Sequence, residues 1–332
     1  MWIIPLLVLL CLSPQDAAAG ALEGLRIAAT TVVPALLPMM LLCRVVLSGK
    51  LPRLVPAARA AERLFGVPAT ALPALLTSFL GGYPLGVASV VSLYKNNRLC
   101  KRDAERAVCF CNNSGPAFFL GVVSTVTPDA GILYLIHCLA AVFCGILTAH
   151  RCNPRLRPQS APDSPVPGFG ARFSEAVGAV CQALLQITAL IALCFALRGA
   201  LNGLGIGTVL ARFPLPQGVL TGLLELSGGI LLLDGAENAF VWAAFLMGWG
   251  GLCVHLQAIA LWQSAGLSPR GYFWRKLLHG LFSAALALAW QHGAGVFGVS
   301  CAVFAGGCLC RMRLREKSDW KFRRKSAILS AR

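Results

Sequence analysis

Glu225 is the one carboxylate that lies deep within a predicted apolar segment of this 332-residue chain. An ionisable side chain at bilayer depth is costly, so we expect it to face a cavity and to have a polar partner. A carboxyl group in such a place can bind a cation or exchange a proton. The alternative is a glutamate near the membrane interface, because its apolar segment is short.

Polar residues interrupt a second apolar segment, where Asn112, Asn113 and Ser114 precede Gly115 and Pro116. Their amide and hydroxyl groups, with the backbone groups that a helix break frees, could bind carboxylates or cations. Alternatively, they cap a kink and bond only to backbone. Tyr83, in another interrupted segment, offers a hydroxyl or a ring to an aromatic ligand, or it is an interfacial anchor.

His255 and Gln257 follow a glycine-rich interruption at residues 248–251. Each is either a ligand contact or a packing residue on an apolar helix, whereas we expect His279 to be structural. The sequence contains no nucleotide-binding loop, metal-ligand spacing or catalytic triad, and a Ser or Cys nucleophile would lack an obvious base. We therefore expect no enzymatic activity, no cofactor and no bound metal.

These polar groups sit where glycine, proline and asparagine break apolar segments. Residues 81–86 and 112–116 form two such interruptions, with a basic loop between them. In hydrocarbon a broken helix is tolerated only where protein or a water-filled cavity satisfies the freed backbone groups. Two breaks close in sequence therefore predict a buried polar site near the membrane midplane, as in secondary transporters.

The composition is that of a membrane protein: 57% of residues are hydrophobic, 13% are charged, and the mean hydropathy is +0.71. Soluble domains carry about 25% charged residues. The net charge is +16, and 25 of the 29 Lys and Arg lie in five stretches: 49–65, 95–106, 150–173, 264–276 and 311–332. Short basic loops between apolar spans indicate cytoplasmic loops rather than nucleic-acid binding. Most of the 14 cysteines lie within apolar spans and resemble small apolar residues.

The pattern predicts an all-α polytopic membrane protein with about eight transmembrane helices, two re-entrant hairpins at 67–94 and 216–233, and broken helices. The order of span, hairpin and broken span occurs twice with opposite orientation, which predicts an inverted repeat. The predicted parts are a short N-terminal span or signal segment (1–24), a first repeat (25–149), a basic Pro-rich cytoplasmic linker (150–173), a second repeat (174–290), and a last span with a basic cytoplasmic tail (291–332).

Several short motifs resemble the YlbJ/SpoVV family of sporulation integral membrane proteins, which is related to the gate-domain fold of nucleoside transporters. The resemblance covers roughly residues 20 to 290. Its most specific part is residues 112–116, which we call the asparagine block. The motifs are 34–38 (PALLP), 82–86 (GYPLG), 104–106 (AER), 112–116 (NNSGP), 222–225 (GLLE), 250–252 (GGL) with His255 and Gln257, and 277–280 (LLHG).

The resemblance implies a site formed by two hairpins and two broken helices, with Glu225 as an acidic hairpin residue. It implies movement of dipicolinate across the outer forespore membrane. An ionised Glu225 would repel such a dianion, so it must be protonated, bind a coupling cation or lie away from the path of the substrate. Two alternatives stay open: a nucleoside-type solute carrier and a non-transporting assembly factor of the sporulation membrane. Expected partners are a small-molecule substrate, the lipid bilayer, a coupling proton or sodium ion, and a second copy of the chain, but no nucleic acid.

Overall fold

A computed structural model describes residues 3–47, 55–149, 168–207 and 215–330. Every regular element in these ranges is a helix, so the predicted all-α class is confirmed. Short π and 3-10 pieces join some of the helices. The α-helices are α1 Ile3–Leu12, α2 Pro14–Ile27, α3 Val33–Leu47, α4 Val55–Phe65, α5 Leu72–Leu80, α6 Leu85–Lys95, α7 Lys101–Val108, α8 Pro116–Gly121, α9 Ala130–Leu147, α10 Phe169–Gly203, α11 Gln217–Leu224, α12 Leu226–Leu231, α13 Ala239–Trp249, α14 Gly251–Gln263, α15 Tyr272–Gln291 and α16 Ala294–Ser330.

Five helical stretches of the described chain are long and apolar enough to cross a membrane. The polytopic character is therefore confirmed, while the other predicted spans are shorter or broken helices, except for the 20-residue helix α15. The span expected at 107–127, for example, consists of α7 and α8 on either side of a non-helical segment. The five long stretches are Pro14–Val46, Ala130–Leu147, Phe169–Gly203, Ala239–Gln263 and Ala294–Leu314.

The first long helix begins at Pro14 rather than near residue 25, where the hydropathy pattern placed its start. Glycines explain the longer helix, because they let α2 lie directly against α10. A Cβ atom added at Gly20 would stand 2.2 Å from the carbonyl oxygen of Phe195, and one at Gly199 would stand 2.2 Å from that of Asp16. Small residues allow this close approach between membrane helices. The α2–α10 glycine seam thus joins the two halves of the chain.

Each predicted hairpin is a pair of short helices that lie side by side. In the first hairpin, α5 and α6, a Cβ atom at Gly86 would stand 2.7 Å from Ser78 Cβ. In the second hairpin, α11 and α12, a Cβ atom at Gly229 would stand 2.1 Å from Gly222 Cα. The re-entrant character of the hairpins, the sidedness of the loops and the inverted repeat stay predictions. The turns of the two hairpins contain Tyr83 and Glu225.

Both predicted helix breaks are present. The first break, residues 109–115, is a non-helical segment between α7 and α8. The second break lies between α13 and α14, where Gly250 and Gly251 have φ of +99° and +73°. These positive φ values favour glycine, because a side chain would be strained there. The breaks therefore follow directly from the residues that occupy them.

Two basic residues assigned to cytoplasmic loops are in fact buried, which corrects part of the charge argument. Arg106 is 7% exposed, lies 3.7 Å from a carboxylate oxygen of Asp103 and donates to the carbonyl of Gly66. Lys276 is 2% exposed and lies in the first turns of α15. Both belong to the interior, where they bond to protein groups. Most of the linker predicted at 150–173, and residues 48–54, lie outside the described residues.

Candidate functional site

The first hairpin is fixed against the first break. Asn113 Nδ2 donates to Ser78 Oγ at 2.8 Å and to the carbonyl of Phe110 at 2.8 Å. A Cβ atom at Gly82 would stand 2.7 Å from the backbone nitrogen of Gly115, so the backbones of these two glycines are in direct contact. The turn that contains Tyr83 is thus held directly beside the asparagine block.

Helix α15 connects the first break to α14. Asn112 Nδ2 donates to Tyr272 Oη at 2.5 Å, and the same hydroxyl lies 3.1 Å from His255 Nδ1. Lys276 Nζ donates to the carbonyl oxygen of Asn112 at 3.0 Å. The freed backbone of the broken helix therefore receives a partner from a lysine, which is how a non-helical segment becomes tolerable in a dry interior.

Two histidines extend this network on the other side of the first break. The backbone N–H of Ser114 donates to His137 Nε2 at 3.2 Å, so the neutral His137 ring carries its proton on Nδ1. His279 Nε2 lies 3.0 Å from the carbonyl of His137, and Lys276 Nζ lies 3.4 Å from His279 Nδ1. A carbonyl can only accept, so His279 donates through Nε2 and accepts from Lys276 through Nδ1.

Glu225 lies at the turn of the second hairpin and is 2% exposed. Its carboxylate accepts from the backbone N–H groups of Ser227 at 2.8 Å and Gly228 at 2.6 Å, as an N-cap of α12 does. Cys253 Sγ, on α14, lies 3.9 Å from Oε1. The side chain is therefore deeply buried, as the sequence predicts, and it has partners on both the hairpin and the broken helix.

A small space, which we call the central cavity, lies between these elements. Its volume is about 20 Å³, enough for about one water molecule. Tyr83 reaches it from the first hairpin, Glu225 from the second and Gln257 from α14, while Phe118 and Ile191 close it from α8 and α10. Both hairpins and the second broken helix thus meet at one point.

Several buried polar atoms of these residues have no hydrogen-bond partner, and two of them, Tyr83 Oη and Gln257 Oε1, belong to residues that line the central cavity. Buried polar groups in proteins are nearly always paired, so the unpartnered atoms indicate room for water or a ligand. Five of the seven residues that we singled out from the sequence contribute one atom each. The unpartnered atoms here are Tyr83 Oη, Asn112 Oδ1, Ser114 Oγ, His137 Nδ1, His255 Nε2 and Gln257 Oε1.

The structure thus brings the predicted residues together in two linked groups. Tyr83, Glu225 and Gln257 line the central cavity, while Asn112 and His255 meet through the hydroxyl of Tyr272. Asn113 and Ser114 hold the first break against its neighbours.

Sequence reasoning missed the polar face of α15. Four polar residues of this helix are buried and recur at spacings of four, three and four residues: Tyr272, Lys276, His279 and Ser283. Such spacing puts them on one helix face, so a helical projection of 272–291 could have found them. Within the described residues, no group of three His, Cys, Asp or Glu is placed to hold a metal ion.

Paired short helices, two broken helices and a buried polar network define an all-α polytopic membrane protein with an internal polar site. The sporulation integral membrane protein YlbJ of Bacillus subtilis (strain 168) is 23% identical to this chain over 323 residues, covering 84% of this chain and 78% of YlbJ. No protein-family model and no solved structure matches the chain. The similarity confirms the predicted resemblance to the YlbJ family, while the gate-domain fold stays a prediction.

Proposed function

We propose that this chain is a membrane transporter that acts in sporulation and moves a small anionic metabolite, by resemblance dipicolinate. One observation carries the proposal: the turns of both hairpins and the second broken helix meet at a cavity, beside a network of buried polar residues in which several atoms have no hydrogen-bond partner. The printed name of YlbJ supports the role in sporulation and the membrane location. By resemblance the membrane is the outer forespore membrane, and we propose no enzymatic activity.

The polar interior favours transport over a purely structural role. A scaffold in lipid is most stable with unbroken apolar helices, because each unsatisfied backbone group costs several kcal/mol in hydrocarbon. This chain instead breaks two helices and places asparagine, histidine and lysine beside the breaks. Interrupted helices whose free backbone groups face a solute are the usual binding sites of secondary transporters.

Lys276 favours an anionic solute. It is buried, and no carboxylate of the described residues lies within 4.0 Å of its ammonium group. A buried positive charge without an acidic partner is costly, and an anion would lower that cost. Both carboxylate oxygens of Glu225 accept from backbone N–H groups instead. We infer that Lys276 supplies the attraction for the solute, whereas Glu225 supports the hairpin turn or binds the coupling proton or sodium ion.

The central cavity is far smaller than a six-membered ring with two carboxylates. In this proposal the structure is therefore a closed form, and the hairpins must separate before a solute can enter. Movement of hairpins against a fixed scaffold would give alternating access to the two sides of the membrane.

Uptake by purified protein in liposomes tests the proposal. We expect accumulation of labelled dipicolinate above that in protein-free liposomes, and its dependence on an imposed proton or sodium gradient identifies the coupling ion. Uridine in a parallel assay tests the nucleoside-type alternative. Uptake of neither solute, with correctly inserted protein and every gradient applied, would contradict transport and favour the assembly factor.

A further inference from the structure

A second and larger space, which we call the side cavity, lies between α10 and the second hairpin. Its volume is about 150 Å³. A protein cavity of about this volume holds benzene, so a six-membered aromatic ring fits. Leucine side chains and the ring of Phe195 form much of the wall, and its polar residues are Arg198, Asn202, Gln217, Thr221 and Glu225.

Arg198 is the charged group of this cavity with a free hydrogen-bonding atom. One side of its guanidinium is held by Glu23 of α2, with Nη2 and Oε1 3.6 Å apart, and the group lies 5.0 Å from the centre of the Phe195 ring. Its Nη1 atom is buried and has no hydrogen-bond partner. The guanidinium is thus positioned by two contacts while one donor nitrogen stays available.

The chemistry of the wall indicates the class of ligand. Guanidinium groups bind carboxylates through short, directional, charge-assisted hydrogen bonds, and they also stack on planar rings. Amide and hydroxyl groups on Asn202, Gln217 and Thr221 can bond to further ligand oxygens or to a ring nitrogen. Apolar walls suit a flat ring body. Together these features fit a small aromatic carboxylate.

Glu225 connects the side cavity to the candidate site, because it borders both cavities. Its oxygens are bonded to the N–H groups of Ser227 and Gly228, so the negative charge is partly compensated where the two cavities meet. We propose that the side cavity is a separate binding site for a small aromatic carboxylate, with Arg198 as the residue that recognises the carboxylate. A role of the side cavity as an entry site on a transport route rests on the proposed function. Its role as a binding site does not.

Thiol labelling tests the binding site without any measurement of transport. Gln217 lines the cavity and is exposed, so Gln217→Cys in an otherwise cysteine-free chain gives a reporter. We expect a negatively charged methanethiosulfonate to label it faster than a positively charged one, because Arg198 attracts the anion. Saturating dipicolinate should slow labelling at least tenfold, whereas the neutral pyridine-2,6-dimethanol should not.

Substitutions of Arg198 test whether this residue causes the protection by dipicolinate and the preference for the anionic reagent. Arg198→Gln should weaken protection by dipicolinate at least tenfold, about 1.4 kcal/mol, and Arg198→Lys should retain the preference for the anionic reagent. Arg44→Gln is the matched control, because Arg44 also pairs with a glutamate, Glu175 at 3.7 Å, with a similarly exposed side chain. It does not line the cavity and should leave protection unchanged.

The outcomes separate this proposal from transport. Lack of protection by dipicolinate in the reporter chain overturns the side-cavity site, even if liposomes take up dipicolinate. Protection that is equal in Arg198→Gln and Arg44→Gln chains overturns the role of Arg198. Protection that is lost only in Arg198→Gln supports the site, even if the liposome assay shows no uptake and the proposed function fails. Should Arg198→Gln not fold, an equal labelling rate for both reagents in the Arg198→Lys chain counts against the proposal.

Discussion

We expect a single methyl group added at Gly86 to push the first hairpin away from the first break. Gly86 is the second residue of α6, and an added Cβ atom would stand 2.1 Å from the carbonyl oxygen of Cys111. It would also stand 2.7 Å from Ser78 Cβ and 2.9 Å from Ser78 Cα. Backbone lies on one side and a neighbouring helix on the other, so Gly86→Ala must push α6 away from both.

Two opposing effects set the magnitude. Overpacking a tight contact costs about 1–3 kcal/mol, while alanine in place of glycine in a helix gains about 0.5–1 kcal/mol. Contact with a backbone oxygen places Gly86→Ala at the upper end of the cost, so we expect a net loss of about 2 kcal/mol. Gly131 is the matched control, because it is the second residue of α9 and no atom lies within 4 Å of its added Cβ. Gly131→Ala should gain about 0.5–1 kcal/mol.

Thermal unfolding in detergent, followed by intrinsic fluorescence, measures both substitutions. We expect the midpoint to fall by several degrees for Gly86→Ala and to stay or rise for Gly131→Ala. The contact also holds the segment that contains Asn113, so dipicolinate uptake should fall in the first variant alone. Equal midpoints for the two variants would refute the claim that close backbone contact fixes the hairpin on the break.

Three variants probe the network itself. Glu225→Gln, which preserves size but cannot ionise, should insert normally and change either the substrate affinity or the pH dependence of uptake; wild-type uptake from pH 5 to 8 would remove this residue from the site. Replacing Asn112 and Asn113 together by Leu should leave the protein in the membrane and abolish uptake, and unchanged rates would make the asparagine block purely structural. Lys276→Met removes a buried charge but also leaves the carbonyl of Asn112 without its donor, so we expect a modest fall in thermal stability with loss of uptake, whereas Lys95→Met at the exposed end of α6 should change neither. Retained uptake in Lys276→Met would exclude its proposed attraction for the anion.

The sequence was most informative where a residue type is costly in lipid. An unbroken apolar helix disfavours the glycine and asparagine of the two breaks and Glu225 of the second hairpin. Each of these residues lies at a turn or a break in the structure. The candidate residues therefore follow from local chemistry. Their meeting at one cavity does not, because it depends on how distant helices pack.

Lys276 shows why the rest could not be predicted. A lysine near the start of an apolar helix is typical of a membrane-proximal loop. Helical spacing can place Lys276 on a polar face of α15, but it cannot say what that face contacts. The partner of Lys276, the carbonyl of Asn112, lies 164 residues away along the chain. The early start of α2 has the same cause, since Gly20 becomes a helix contact only when α10 lies beside it.

The α2–α10 glycine seam has a consequence for the order of assembly during synthesis. Helix α2 ends at Ile27 and α10 begins only at Phe169, so the ribosome must add the intervening residues before the seam can close. At about 5–20 residues per second, α2 waits for roughly 7–28 s in the bilayer without its partner. Its glycine face therefore first contacts lipid or the insertion machinery. Closure of the seam is then the step that joins the early and late halves of the nascent chain.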